Sequence, residues 1–316
     1  MNRRSFLKCL SSGAVASTLL PSISFADTDS PEIAITMDDP HTLASGPLSN
    51  DQLSNNILDA FSRNNNLKIA LFVNAGRVDS EEGKALIDKF DSAGHMICNH
   101  SYSHYNYHSD RITYKQYSED FLRCDSYIKL FKSYRRLFRY PLLREGNTLE
   151  KRDQMRALLD KHSYRNGYVT VDNSDWLIDR LLRNELGKDP SLVLENVKQF
   201  YVKHMIEQAA IYNEMAQKLY SRNVKQTLLT HFNLVNALFL GDLIKEFINL
   251  GWEVIDAPEA YSDPVFMEKP DIIPTGDSLI KALARESTSF DAIPDPPGEN
   301  EDFVEREFLA AIAEKH

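Results

Sequence analysis

The sequence is poor in glycine and proline, and it lacks an excess of basic residues. Only 12 Gly and 13 Pro occur in 316 residues, so the composition is that of a soluble globular protein rather than of a low-complexity chain. The net charge of −10 argues against nucleic acid as a partner, because phosphate binding needs a basic face. Hydrophobic residues make up 42% of the chain, and this length allows a sizeable core.

Cysteine is also scarce, with three residues in the whole chain. Cys9 lies in an N-terminal segment that we expect to be removed, so that Cys98 and Cys124 remain. Export would permit a disulfide, but two cysteines do not make a disulfide scaffold. We therefore predict two separate thiols, with Cys98 buried on a strand.

The first 26 residues have the pattern of an export signal rather than of a folded element. They begin with basic residues, continue with a short apolar stretch containing Gly, Ser and Thr, and end in Ser24-Phe25-Ala26. The pair Arg3-Arg4 before Ser-Phe-Leu-Lys indicates a twin-arginine signal, and an ordinary secretory signal or a retained anchor is the alternative. The apolar stretch is too short and mixed for a permanent transmembrane helix. We predict export to the periplasm.

Short apolar runs alternate with amphipathic stretches after the signal, which predicts an α/β fold. Strands are predicted at 32–36, 68–76, 96–99, 136–140, 168–171, 226–230 and 252–255. Helices are predicted at 50–64, 80–94, 113–131, 150–162 and 236–251. The run 68–76 is apolar almost throughout, as is typical of a strand in a buried parallel sheet.

Two segments differ from this alternation. Residues 189–221 open with Asp189 as a helix cap and Pro190 at the first helical position, and helical spacing then continues for about thirty residues. Such a helix would be roughly 45 Å long, which indicates an insertion. The tail 258–316 is rich in proline and acidic residues, and we expect loops and short helices on the surface, without a chemical role. No internal repeat or clear linker divides the chain.

Polar residues that a core does not require follow the predicted strands. They are Asp38, Asp39, His100, His104, Arg139, Asp172, Asp175, Trp176 and His231. Parallel strands end at one edge of their sheet, and α/β proteins build active sites at that edge. We therefore expect these side chains to meet there. Their shared position at one edge is stronger evidence for an active site than any single motif.

Asp39, His100 and His104 have the residue types of an open metal site. The two histidines are four residues apart, so both imidazoles face one way if the segment turns helically. Two histidines and one carboxylate leave positions for water and substrate, as in a catalytic metal site. A solvated turn at Asp38-Asp39 and a polar surface turn at the histidines are the alternatives.

Two neighbours of these residues are ambiguous. His108 continues the four-residue spacing, but the polar composition of residues 102–110 favours a loop, so we do not expect a ligand there. Trp176 would either form a wall of a sugar-binding groove or belong to the core.

An acid and a base can be assigned at the same edge. Asp38 leaves its strand in a different direction from Asp39 and can stay free as a base. Arg139 would bridge to Asp38 and hold it ionised, or else form a surface ion pair. His231 fits a general acid oriented by Asp175, or alternatively a hydrogen-bonded histidine at the edge of the core.

In these residues the chain resembles the polysaccharide deacetylase (NodB-type) family, carbohydrate esterase family 4. The resemblance covers roughly residues 31–258 apart from the insertion. The five matching segments, in the family's order, are TMDDPH (36–41), GHMICNHSYSH (94–104), FRYP (138–141), DNSDW (172–176) and LLTH (228–231).

The resemblance implies a distorted (β/α)7-type barrel and a metal-dependent hydrolase that removes acetyl groups, usually from N-acetylated sugars. Carried over by position, the site comprises Asp38 as base, His231 as acid, Arg139 and Asp175 as their orienting partners, and Asp39, His100 and His104 as ligands of one divalent ion, zinc or alternatively cobalt. Water at the metal, deprotonated by Asp38, would attack the acetyl carbonyl, and His231 would protonate the departing amine. A backbone N–H near Leu142 would hold the oxyanion.

The chain departs from the family pattern in two places. Pro40 follows the two aspartates where the family usually has glycine, and Leu142 and Leu143 stand where it usually has an aromatic residue. The substrate therefore stays open among an N-acetylated or O-acetylated saccharide of the cell envelope, a non-sugar amide, and no substrate at all in a silent carbohydrate-binding module. An intact acid and base argue against the last alternative. Leu142 and Trp176 are the residues expected to contact substrate.

These predictions divide the chain into three parts. They are a signal segment 1–26, a deacetylase-like barrel 27–258 that contains the helical insertion, and a C-terminal extension 259–316.

Overall fold

The computed structural model of the chain describes residues 30–188, 194–287 and 296–313. The predicted signal segment and the predicted helix start at Asp189 and Pro190 lie outside these ranges.

A parallel sheet of seven strands forms the centre of the fold. The strands are β1 (Glu32–Asp38), β2 (Ala70–Val73), β3 (Met96–Asn99), β4 (Tyr134–Phe138), β5 (Arg165–Asn166), β6 (Gln226–His231) and β7 (Glu253–Val254). Their spatial order is β5-β4-β3-β2-β1-β6, and β7 pairs with the first residues of β1. β2 and β3 are buried along their whole length, as expected for strands covered on both faces.

Residues 165–171 connect the two ends of this strand order. Gly167 N donates to Phe138 O of β4 at 2.7 Å, and Leu229 N of β6 donates to Val171 O at 3.1 Å. The sheet is thereby curled into a half-barrel surrounded by helices, which confirms the predicted distorted (β/α)7-type barrel. The predicted strand 168–171 is wrong, because this stretch crosses from β4 to β6 and only Val171 forms a ladder bridge.

The helices cover the outside of the sheet. They are α1 (Asn50–Ser62), α2 (Glu81–Ser92), α3 (Tyr114–Ile128), α4 (Leu149–Lys161), α5 (Asp175–Lys188), α6 (Leu194–Tyr220), α7 (Leu234–Asn249), α8 (Ala257–Ala260), α9 (Leu279–Glu286) and α10 (Glu301–Ala313). Capping boxes of Ser49 with Gln52 and of Thr113 with Gln116 start α1 and α3. In the described ranges, none of these helices is both long and apolar enough to cross a membrane.

The tail contributes to the core, contrary to the surface position predicted for it. Tyr261, Val265, Leu279, Val304 and Phe308 are all buried in the main hydrophobic cluster. α10 packs on α5 and α6, and α9 packs on α6. The acidic and proline-rich composition of the tail suggested a surface position, because composition alone does not show that its helices have apolar faces.

The two cysteines that follow the predicted signal are separate buried thiols. Cys98 lies on β3 and Cys124 on α3, and neither forms a disulfide. This agrees with the prediction from the sequence. Burial raises the pKa of both thiols well above the ordinary range, so both stay protonated and unreactive.

Candidate active site

The carboxyl ends of four strands bring the polar residues together. Asp38 is the last residue of β1 and lies beside His231, the last residue of β6, in the parallel ladder. His100 directly follows β3, and Arg139 directly follows β4, with the two strand ends joined by a hydrogen bond from Arg139 N to Asn99 O. The candidate residues therefore share the edge at which α/β folds place their active sites.

Asp39, His100 and His104 form a compact group of metal-ligand type. Their nearest oxygen and nitrogen atoms all lie within 4.8 Å of one another. Asp39 Oδ2 is 3.5 Å from His104 Nε2, whereas Asp39 Oδ1 is buried and has no hydrogen-bond partner. His100 Nδ1 donates to Arg139 O at 2.8 Å, which leaves the lone pair of its Nε2 available. An unpartnered buried carboxylate oxygen beside two imidazoles fits a divalent cation.

The electrostatics of this group also suit a cation. Burial, followed by the nearby His100, lowers the pKa of His104 to about 4, so its imidazole is neutral at pH 7. Burial alone would raise the pKa of Asp39, but His100, His104 and Arg77 together hold it below its ordinary value. A neutral imidazole and an ionised carboxylate are the forms that coordinate metals.

The two histidines meet through an irregular loop and not through the helical turn that we considered. The backbone is left-handed at Asp39, Ser101 and His104, with φ of 61°, 66° and 55°. Such non-glycine conformations cost free energy and cluster at functional sites. They turn Asp39 and His104 toward each other, although the sequence spacing alone suggested a helix.

Side chains outside the ligand set hold this loop. Asn99 Oδ1 accepts from Ser101 N at 2.8 Å, and Ser101 Oγ accepts from His104 N at 3.0 Å. The Asp120 carboxylate on α3 accepts from the backbone N–H of both Tyr102 and Ser103, with a shortest distance of 3.0 Å to each. These bonds stabilise a backbone that the loop would not adopt by itself.

Arg139 holds Asp38 from inside the barrel. Its buried guanidinium donates from Nη1 to Asp38 Oδ1 at 2.5 Å and from Nε to Gly167 O at 2.8 Å. Nη2 donates to Thr36 Oγ1 and to Tyr261 Oη, both at 3.0 Å. The Asp38 carboxylate therefore faces an arginine whose own position is fixed on several sides.

His231 and Asp175 form a second pair. His231 Nδ1 lies 2.6 Å from Asp175 Oδ1, while Asp175 Oδ2 accepts from His231 N at 2.8 Å and from Asn236 Nδ2 at 2.7 Å. Burial alone would lower the pKa of His231, but the Asp175 carboxylate raises it to about 9. Burial would raise the pKa of Asp175, and the His231 and Asn236 contacts bring it below its ordinary value. The pair therefore favours an imidazolium beside a carboxylate.

The remaining predicted residues lie around this edge. Leu142 follows β4 with a left-handed φ of 58°, and its side chain is 52% exposed. Trp176, in the first turn of α5, is 39% exposed with the Arg180 guanidinium 5.3 Å from its ring centroid, so it is not a core residue. His108 lies in a turn, its Nε2 3.2 Å from Thr275 Oγ1, and does not belong to the metal-ligand group.

The sequence-based interpretation missed several polar residues that support the site. They are Thr36, Asn99, Asp120, Asn236 and Tyr261. Asp120 and Asn236 had a readable signal, since each is a polar residue on the apolar face of a helix. Tyr261 had none, because its partner Arg139 lies 122 residues away.

The chain is similar to known proteins in part of its sequence and in its fold. Residues 26–165 match the family model described as polysaccharide deacetylase, which covers less than half of the chain. No curated protein matches the chain.

Solved structures show a similar fold at low sequence identity. A CE4 family pseudoenzyme from Bacillus anthracis has a TM-score of 0.51 and 15% identity, covering 73% of this chain and 65% of that chain. The peptidoglycan deacetylase PdaC from Bacillus subtilis has a TM-score of 0.49 and 21% identity, covering 75% and 93%. PdaA from Bacillus subtilis, a family 4 carbohydrate esterase, has a TM-score of 0.49 and 18% identity, covering 74% and 81%. The chain is therefore similar to polysaccharide deacetylases over residues 26–165, and it shares the fold of a CE4 family protein.

Proposed function

We propose that the protein is a metal-dependent deacetylase that removes acetyl groups from an N-acetylated or O-acetylated saccharide. The observation that carries this proposal is the meeting of two charged pairs, Asp38 with Arg139 and His231 with Asp175, beside the group of Asp39, His100 and His104. A silent binding module would need neither a base nor an acid at this edge.

Asp39, His100 and His104 would hold one divalent ion, zinc or alternatively cobalt. When bound there, the ion would acidify a water molecule and polarise the acetyl carbonyl. His100 would bind through Nε2, because its Nδ1 is engaged by the carbonyl of Arg139. The buried, unpartnered Oδ1 of Asp39 supports the assignment of a cation to this place.

Asp38 would act as the general base. Its Oδ1 is held by Arg139, and its Oδ2 lies 3.6 Å from His100 Nε2. The free carboxylate oxygen therefore faces the ligand group, where it can take a proton from the attacking water. Arg139 keeps the carboxylate aimed, which is a positioning role.

His231 would act as the general acid. The Asp175 carboxylate holds Nδ1, so the proton on Nε2 is the one available for the leaving nitrogen or oxygen. A raised pKa keeps His231 protonated at neutral pH, before the leaving group departs. Leu142, whose backbone N–H would meet the oxyanion, and Trp176, beside the groove, would contact the substrate.

A glycan of the cell envelope is the substrate class that we favour. PdaC is described as a peptidoglycan deacetylase, and PdaA as a family 4 carbohydrate esterase. Together with the twin-arginine pattern at Arg3-Arg4, this supports an exported enzyme that acts in the periplasm.

The test is acetate release by the purified mature protein from chitin oligomers, peptidoglycan fragments and acetylated xylan. We expect about one divalent ion per chain, and loss of acetate release after chelation. Acetate release that persists fully without metal would contradict the mechanism. Release from a non-sugar amide alone would favour the second substrate class, and no release from any compound would favour a silent binding module.

Two variants separate metal binding from proton transfer. Asp38→Asn should abolish acetate release while the metal stays bound, because only the base is removed. His100→Ala should lose the metal as well as the activity. Metal analysis of both proteins, beside the unmodified protein, distinguishes the two roles. Retained activity in Asp38→Asn would exclude Asp38 as the base.

A further inference from the structure

Tyr261 enters the barrel from outside the segment that carries the family match. It follows α8, almost a hundred residues beyond the end of that match, and it is buried. Its hydroxyl accepts from Arg139 Nη2 at 3.0 Å and donates to Tyr168 O at 3.1 Å. The ring packs edge-on against Phe266 at a centroid distance of 4.9 Å. The hydroxyl is therefore held between a fixed carbonyl and the guanidinium.

The hydrogen bonds of Arg139 show why this contact matters. Nε is held by Gly167 O and Nη1 by Asp38, while Nη2 is shared between Thr36 Oγ1 and Tyr261. The guanidinium carbon also lies over Phe72, 3.8 Å from the ring centroid. Tyr261 is the hydrogen-bond partner of Arg139 supplied by the tail among the described residues. Tyr261 restrains Nη2 of the guanidinium, and Nη1 of the same group donates to Asp38.

We propose that Tyr261 is a positioning residue, whose hydroxyl fixes the Arg139 guanidinium and through it the Asp38 carboxylate. The proposal rests on the deacetylase function proposed above, and it gives the C-terminal tail a part in the site. Losing the hydroxyl leaves one N–H of Arg139 without its partner inside the barrel, while the Tyr168 carbonyl keeps its bond from Thr227 Oγ1. The guanidinium can then tilt over Phe72, and the Asp38 carboxylate that it holds shifts away from the attacking water.

The experiment is the substitution Tyr261→Phe, which removes the hydroxyl and keeps the ring. With a chitin oligomer as the probe, kcat per bound metal should fall roughly tenfold, since a small misplacement of a reacting group is costly. KM and metal content should stay close to those of the unmodified protein, and the loss of kcat should be present at temperatures well below the midpoint of thermal unfolding. A purely structural role would instead lower the thermal midpoint while kcat per bound metal of the folded protein stays unchanged, and that result overturns the proposal.

Tyr220→Phe is the matched control. The Tyr220 hydroxyl donates to Glu268 Oε1 at 2.8 Å, so the control also deletes one hydroxyl from a tyrosine that contacts the tail. Its kcat should equal that of the unmodified protein. An equal loss of kcat in both variants would contradict a specific action through Arg139.

A double-mutant comparison tests the route through Arg139. In an Arg139→Lys background no Nη2 exists, so Tyr261→Phe should change kcat less than twofold there. A full tenfold loss in that background would show that Tyr261 acts by another route, and would overturn the proposal.

A measurement that does not depend on catalysis distinguishes a failure of this proposal from a failure of the proposed function. Solvent exchange of the Arg139 guanidinium protons, followed by NMR of arginine-labelled protein, should be faster in Tyr261→Phe than in the unmodified protein. If the unmodified protein releases no acetate from any compound, the proposed function fails while this measurement still decides whether Tyr261 holds Arg139. Unchanged exchange would overturn the proposal.

Discussion

At the scale of single residues, the site consists of titratable groups whose neighbours set their charge. His104 is driven toward the neutral form by burial, whereas His231 is driven toward the charged form by Asp175. Two histidines at one edge of the sheet therefore suit opposite tasks, one as a ligand and one as an acid. Neither difference is visible in the sequence, because both depend on what surrounds each ring.

The first prediction concerns the alkaline side of the pH profile. Because the pKa of His231 is about 9, the acid is protonated below that pH, and kcat/KM should fall as the pH rises through about 9. Asp175→Asn removes the charge that raises this pKa, so the fall should begin at lower pH. Kinetics of both proteins across this range, with metal content as the control, provide the test. A fall at the same pH in both proteins would exclude Asp175 as the cause.

The same pair predicts how stability depends on pH. His231 has a folded-state pKa above its ordinary value of 6.5, so its contribution is fully present below that value and is lost as the pH rises through about 9. The unmodified protein should lose stability toward urea over this window, relative to Asp175→Asn. Parallel stability curves for the two proteins would contradict this linkage.

At the scale of elements, regular structure was more predictable than the loops. The helices predicted at 50–64, 80–94 and 113–131 begin within one residue of α1, α2 and α3, and the structure shows the N-caps Ser49, Ser80 and Thr113 that fix these starts. The expectation that site residues follow the carboxyl ends of parallel strands also grouped Asp38 with Arg139, 101 residues apart. The strand at 165–166 and the helix α5 were not predicted, since the first is very short and the residues at the start of the second were interpreted only as part of the site. The form of the histidine loop depends on Asp120, which no local pattern connects to it.

The third prediction tests this dependence of the loop on α3. Asp120→Ala removes the carboxylate that accepts from two loop N–H groups, so metal affinity should fall about tenfold or more. Glu119→Ala is the control, because Glu119 lies on the same helix and its side chain is 66% exposed. Competition with a metal indicator measures both affinities. Equal affinities would mean that the histidine loop keeps its shape without Asp120.

At the scale of the whole molecule, the tail and the barrel share one hydrophobic core. Val304 and Phe308 of α10 lie in the same cluster as Ile33 and Leu71 of the central strands. The proposed division of the chain at residues 258–259 stays a prediction. The core itself does not stop there, although the acidic and proline-rich stretches of the tail suggested a surface position.

The fourth prediction follows from this shared core. Phe308→Ala removes a fully buried ring, and should destabilise the protein by about 3–5 kcal/mol. The adjacent Leu309, which is 41% exposed, gives the control Leu309→Ala, for which we expect a change well under 1 kcal/mol. Urea unfolding followed by fluorescence measures both. Similar small losses in the two variants would show that α10 contributes little to the stability of the barrel.

The pairing of β1 with β6 also has a consequence for how the chain is made. β1 is the first of the described strands to be synthesised, yet its bond from Thr36 Oγ1 to Leu228 O spans 192 residues, and β7 joins it later still. Contacts so distant in sequence slow folding, and they leave the growing chain with one edge of β1 unpaired after β2 has joined the other. A chain that ends before β6 would expose the edge of β1, and we expect such fragments to aggregate rather than to form a smaller working barrel.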